Sequence, residues 1–154
     1  MARHLRAGCS RADWKIWADF VNANYRVVEF TDGDTIQLDQ IDFAVMEYLW
    51  DSHGQANMLM ATFFVGEIPT RCHFFRDDEV ENDIDPQKIT TYAVHQQLMD
   101  YLTRLSQALG KKVVLTPEND TPASCSPHWV WQPLLAVNGE QVRVYPYWLD
   151  TACN

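Results

Sequence analysis

From Ser10 to Asn24 the apolar positions Trp14, Trp17, Phe20 and Val21 recur at intervals of three and four, the spacing of one helix face. Ser10 stands where an N-cap hydroxyl would accept from the first-turn amides, and Asp13 completes a capping box. Asn22-Ala23-Asn24 ends this helix. Between Arg26 and Leu38 the period becomes two, with Val27, Val28 and Phe30 on one arm and Thr35, Ile36 and Leu38 on the other. Asp32-Gly33 lies between them and tolerates positive φ, so the segment reads as a hairpin. Ile41–Trp50 fits both periods. Its β-branched and aromatic content reads as strand, while Phe43, Met46, Tyr48 and Leu49 suit a helical turn. The strand is preferred, because Ser52-His53-Gly54-Gln55 reads as a hairpin loop into a second strand, Met58–Val65. A third strand, Thr70–Phe75, follows the connection Gly66-Glu67-Ile68-Pro69, and the three predict an antiparallel meander.

The run Asp77–Asp85, DDEVENDID, breaks this texture and reads as a loop that Pro86 closes. A long amphipathic helix follows, from about Pro86 or Thr90 to Leu109, with Asp85 as its cap. Val94, Leu98, Leu102, Leu105 and Leu109 hold one face, with Tyr101 and Ala108 beside it, and Gly110 is the expected stop. Lys111–Leu115 predicts a short strand, Glu118–Pro127 a loop, and Trp129–Val137 with Gln141–Trp148 a last hairpin across Asn138-Gly139. Two helices and about seven or eight strands predict an α+β fold. Its sheet is mostly antiparallel and built of several hairpins, with an N-terminal helix and one long amphipathic helix packed on it.

The 154 residues, 47% hydrophobic and 21% charged, match a single domain spanning residues 1–154 with its own core. No apolar run approaches the roughly 20 residues that a spanning helix needs. The first fifteen residues are basic and lack the apolar stretch of a signal peptide, so the expectation is a cytoplasmic protein. The net charge of −9 disfavours nucleic acid and anionic membranes as partners.

That charge is segregated. Positions 27–70 hold Glu29, Asp32, Asp34, Asp39, Asp42, Glu47, Asp51 and Glu67 and no Lys or Arg. The first 26 residues set Arg3, Arg6, Arg11, Lys15 and Arg26 against Asp13 and Asp19. The 77–85 run adds Asp77, Asp78, Glu79, Glu81, Asp83 and Asp85. Three readings of that run stand side by side: a solvated loop, a divalent-ion site, and a docking surface for a basic protein. The spacing lacks the glycine and closing glutamate of a calcium loop. On the last hairpin Trp129, Trp131, Tyr145, Tyr147 and Trp148 alternate, so Trp129 or Trp131 could anchor a partner or simply be buried.

Catalytic and metal chemistry find little footing. Cys9, Cys72, Cys125 and Cys153 form no CxxC pair. Cys125-Ser-Pro-His128 with Cys72-His73 is the nearest approach to a zinc pattern, and adjacent Cys72 and His73 would face opposite sides of a strand. Cys72, Cys125, His53, His95 and His128 could supply a thiol hydrolase, but no nucleophile elbow, phosphate loop or zinc-protease helix is present. No catalytic residue, metal ligand or cofactor is assigned.

In size, acidity, α+β build, aromatic richness and want of a catalytic signature the chain resembles bacterial immunity proteins, those encoded beside polymorphic and contact-delivered toxins. The passage from Leu109-Gly110 into KKVVLTPEN, Lys111 to Asn119, is similar to a helix-to-strand passage in small toxin-linked proteins. The resemblance implies a tight one-to-one complex with a basic toxin, most simply a nuclease. It transfers no binding residue; Asp77, Asp78, Glu79, Glu81, Asp83, Asp85, Trp129 and Trp131 are candidates on their own chemistry. A small cysteine hydrolase and a phage-type or other assembly module remain as alternatives.

Overall fold

The computed structural model describes residues 3–52, 58–116 and 133–145, with the backbone alone over residues 3–8. The chain runs β1 (Arg3–Gly8), α1 (Arg11–Asn24), β2 (Arg26–Thr31), β3 (Gln37–Leu38), α2 (Phe43–Asp51), β4 (Met60–Val65), β5 (Ile68–His73), β6 (Glu79–Ile84), α3 (Tyr92–Leu109), β7 (Val113–Thr116), β8 (Leu135–Asn138) and β9 (Gln141–Val144). The fold is α+β, as the sequence predicts. Among the described residues, nine strands form one sheet in the order β3-β2-β4-β5-β6-β1-β7-β8-β9. Every adjacent pair is antiparallel. Strand β1 joins the meander β4-β5-β6 to the meander β7-β8-β9.

Helix α1 starts as the sequence predicts. The Asp13 amide donates to the Ser10 hydroxyl, and the Ser10 amide donates to the Asp13 carboxylate at 2.7 Å. The same carboxylate accepts from Lys111, 98 residues on, at 2.8 Å, so one cap also ties α1 to the end of α3. Burial works to raise the Asp13 pKa, but the bonds from Lys111 and Ser10 outweigh it and hold the carboxyl below its ordinary 3.8. A carboxyl with a depressed folded-state pKa stabilises the fold fully above its unfolded value and loses that contribution as pH falls through the folded one. Asp13→Asn is therefore expected to cost about 1–2 kcal/mol near neutral pH. The gap from wild type should narrow as urea midpoints are taken below pH 4. A gap that stays constant with pH would mean the ionised carboxylate contributes nothing.

Three expectations are corrected by backbone chemistry. Ile41–Trp50 is not a strand. The Asp42 carboxylate accepts from the Ala44 and Val45 amides and starts α2, while the Asn22 side chain makes two 2.9 Å bonds to the Ile41 backbone. With its entry fixed, the segment turns Met46 and Leu49 inward. The β2–β3 hairpin closes on five residues, not two, since Thr31 pairs with Gln37. There Asp32 accepts from the Ile36, Asp34 and Thr35 amides, which hold its carboxyl at about 2. Strand β5 begins at Ile68, so Pro69 lies in the strand, one residue before the β6 ladder starts at Thr70.

Smaller shifts follow the same logic. The tight turns are Gly66-Glu67 and Gly139-Glu140, each with its glycine at φ 60° in the first position, where primed turns want positive φ. Asp85 caps only a short 3-10 turn at Pro86–Lys88, and Thr91 caps α3. Gly110 ends α3 at φ 62°, as predicted, while Ala108 is exposed. The expected loop Glu118–Pro127 lies outside the described residues, as do the outer ends of the last hairpin.

Helices α1 and α3 pack together against one sheet face. Trp14, Trp17 and Val21 of α1 and Leu98, Tyr101 and Leu102 of α3 meet Phe30, Phe63, Ile68 and Phe74 in a continuous core. Among the described residues, no helix is long and apolar enough to cross a membrane.

Candidate functional site

The acidic run is a strand, not a loop. In β6 the side chains alternate: Val80, Asn82 and Ile84 are buried toward the helices, and Glu79, Glu81 and Asp83 lie on the opposite face, partly exposed. The ladder sets bases beside these acids. Glu81 stands in register between Arg6 of β1 and His73 of β5, and Asp83 between His4 and Arg71. The His73 Nε2 lies 3.6 Å from the Asp83 carboxylate. The register thus sets Arg6 opposite Glu81 and Arg71 opposite Asp83, the arrangement in which facing positions of opposite sign stabilise a sheet.

The remaining three acids of the run do other work. Asp77 receives Arg11 Nε at 2.8 Å, and the same guanidinium reaches Asp51 at 2.8 Å while lying over the Trp50 ring. Asp78 forms a two-bond pair with Arg76 at 2.7 and 2.6 Å, which lowers its pKa. Asp85 accepts from the Gln87 amide at 2.9 Å. The six carboxylates are thus distributed over a sheet face, the β5–β6 connection and a turn, rather than gathered in one patch. Trp129 and Trp131, like Cys125, His128 and His53, lie outside the described residues.

Cys72 and His73 do face opposite ways. Cys72 is fully buried, while His73 stacks on Phe75 with ring centres 5.1 Å apart. Burial, followed by the charges of Asp83 and Glu81, pushes the Cys72 thiol well above its ordinary 9.0. The half-buried Cys9 is also raised, chiefly by burial. A nucleophilic thiol needs the reverse shift. In the folded protein Cys72 should stay unmodified by iodoacetamide at neutral pH and become modified once urea unfolds the chain, as read by peptide mass mapping. Rapid labelling in the folded state would restore it as a catalytic candidate. Among the described residues, no group of three or more His, Cys, Asp or Glu is placed to hold a metal ion.

The largest concentration of acids without bases comes from a region whose folding the sequence pattern leaves open. Strands β2 and β3 form one end of the sheet and α2 packs on α1, and the stretch of chain that builds all three carries Glu29, Asp32, Asp34, Asp39, Asp42, Glu47 and Asp51. Among the described residues, Arg11 at Asp51 is the one cation within 4 Å of any of them. Tyr48, on α2, is 70% exposed. Composition shows the missing bases. A groove of about 670 Å³ between the β4–β5 turn and α3 has Arg26, Arg104, Glu67 and Asp100 in its walls, so it favours neither sign of ligand. Set against protein-family models, curated proteins and solved structures, the chain matches none of them.

Proposed function

We propose that the protein is a non-catalytic cytoplasmic inhibitor, an immunity protein that neutralises a basic toxin with nuclease activity by binding it tightly. The observation that carries this reading is the acidic stretch from Glu29 to Asp51, which holds no Lys or Arg of its own and where Arg11 at Asp51 is the one paired cation among the described residues, on a chain of net charge −9. Such a field attracts a cationic partner over distances longer than any contact and repels nucleic acid, the substrate with which an inhibitor must compete. Nuclease surfaces that grip phosphate are rich in Lys and Arg, the chemistry that this stretch complements. The buried Cys72 gives the hydrolase alternative no support.

The test is capture of the partner from the source cell with tagged protein at low and moderate salt, followed by assay of that partner's nuclease activity with and without added protein. One basic protein, recovered one-to-one and silenced on addition, is the expected result. Capture of a partner whose activity is unaffected would overturn the reading. Reversing Asp78, Glu79 and Glu81 to Lys takes the net charge from −9 to −3. It should slow association about tenfold at low salt, with little effect at high salt, because steering is screened within about 10 Å at 0.1 M salt.

A further inference from the structure

We infer that the outward face of α2 is the docking surface for the basic partner, with Tyr48 as its apolar anchor and Asp39, Asp42 and Glu47 as its charged rim. The inference deepens the inhibitor reading and rests on it for the nature of the partner. Seven of the nine residues of α2 are apolar, yet only Met46 and Leu49 are buried. Phe43, Val45 and Trp50 pack partly against the core, whereas Ala44 and Tyr48, one turn apart, face outward. A helix so apolar that turns a tyrosine into water presents more contact surface than its own fold uses. Tyrosine suits an anchor, since two torsions order a large ring that ends in a hydrogen-bonding hydroxyl.

Charge selects the occupant. No Lys or Arg occurs between positions 27 and 70, so the rim of this face has no neighbouring cation from its own segment. Among the described residues, the one cation paired with an acid of α2 is Arg11, at Asp51 on the end of the helix. The acids of β6 differ in having Arg6, Arg71 and His73 at the flanking positions of the ladder. A partner with Lys and Arg around an apolar recess complements α2 in both charge and shape.

Steering and anchoring separate kinetically. Long-range charge governs the association rate wherever the partner lands, whereas a buried anchor governs dissociation. Isotope-labelled protein titrated with decalysine at low and moderate salt should show amide shifts concentrated in residues 39–51 and weakened by salt. Shifts centred on residues 79–83 would overturn the assignment. With the captured partner, Tyr48→Ala should raise the dissociation rate about thirtyfold with little change in association, and Tyr48→Phe should stay close to wild type. An unchanged dissociation rate for Tyr48→Ala would equally overturn it. The decalysine titration needs no natural partner, so it judges the surface even if the inhibitor reading fails.

Discussion

Trp17→Ala is expected to remove about 3–5 kcal/mol of folding stability, a large share of what a domain of this size possesses. The Trp17 ring is fully buried and meets Trp14, Phe63 and Phe74 edge-on, with centres 5.4, 6.0 and 5.8 Å apart. Trp14 in turn meets Phe74 and Trp50, and the Trp50 indole N–H donates to the Phe74 carbonyl at 2.9 Å. One cluster therefore fastens α1, α2, β4 and the end of β5 together. Close-packed rings cannot collapse into the space an indole leaves, so the mutation costs both transfer free energy and a cavity. Urea denaturation should show the loss, with Tyr92→Ala as the control. Tyr92 is 78% exposed and should change stability by no more than about 0.5 kcal/mol. A loss below about 1 kcal/mol at Trp17 would mean that the aromatic cluster is not what joins the helices to the sheet.

The elements legible in the sequence are those whose own side chains decide them. Helix α1 carries its cap and its stripe in fifteen residues, and α3 keeps Leu98, Leu102, Leu105 and Leu109 in phase up to the Gly110 stop. Strands β1 and β6 were hidden for a common reason. RHLRAG has one large apolar residue, and EVENDI reads as a charge run. Each becomes a strand because it lies between two others, which pair its backbone on both edges. Propensity is a weak guide where neighbours from distant sequence supply the hydrogen bonds. Segment 41–50 failed differently, since its residues suit both periods and the deciding groups were Asp42 and Asn22 at its entry. The candidate site inherited these errors. Once most of the 77–85 run became a strand between bases, the acids without basic neighbours were those of the stretch from Glu29 to Asp51.

Asn82→Ala is expected to cost about 2–4 kcal/mol, although it replaces a polar residue in an apolar core with a small apolar one. Asn82 is fully buried on the inward face of β6, where it accepts from the Tyr101 hydroxyl at 2.7 Å and donates to the Cys72 sulfur at 3.6 Å. Removing its side chain takes the acceptor from the fully buried Tyr101 hydroxyl and opens a void beneath α3. Tyr101→Phe should cost less, about 1–3 kcal/mol, by leaving the Asn82 oxygen without its donor. The double variant should then fall short of the sum by about 1 kcal/mol or more, since both partners of the lost bond are gone. Strict additivity in urea denaturation would show that the bond carries no coupling energy. The position also explains how so acidic a strand keeps its register. A slip of one residue would turn Glu79, Glu81 and Asp83 toward the helices in place of Val80, Asn82 and Ile84. Burying three carboxylates costs far more than any ladder bond returns, so the charges that resemble a loop in the sequence hold the strand to one alignment, and the Asn82–Tyr101 bond sets α3 over it.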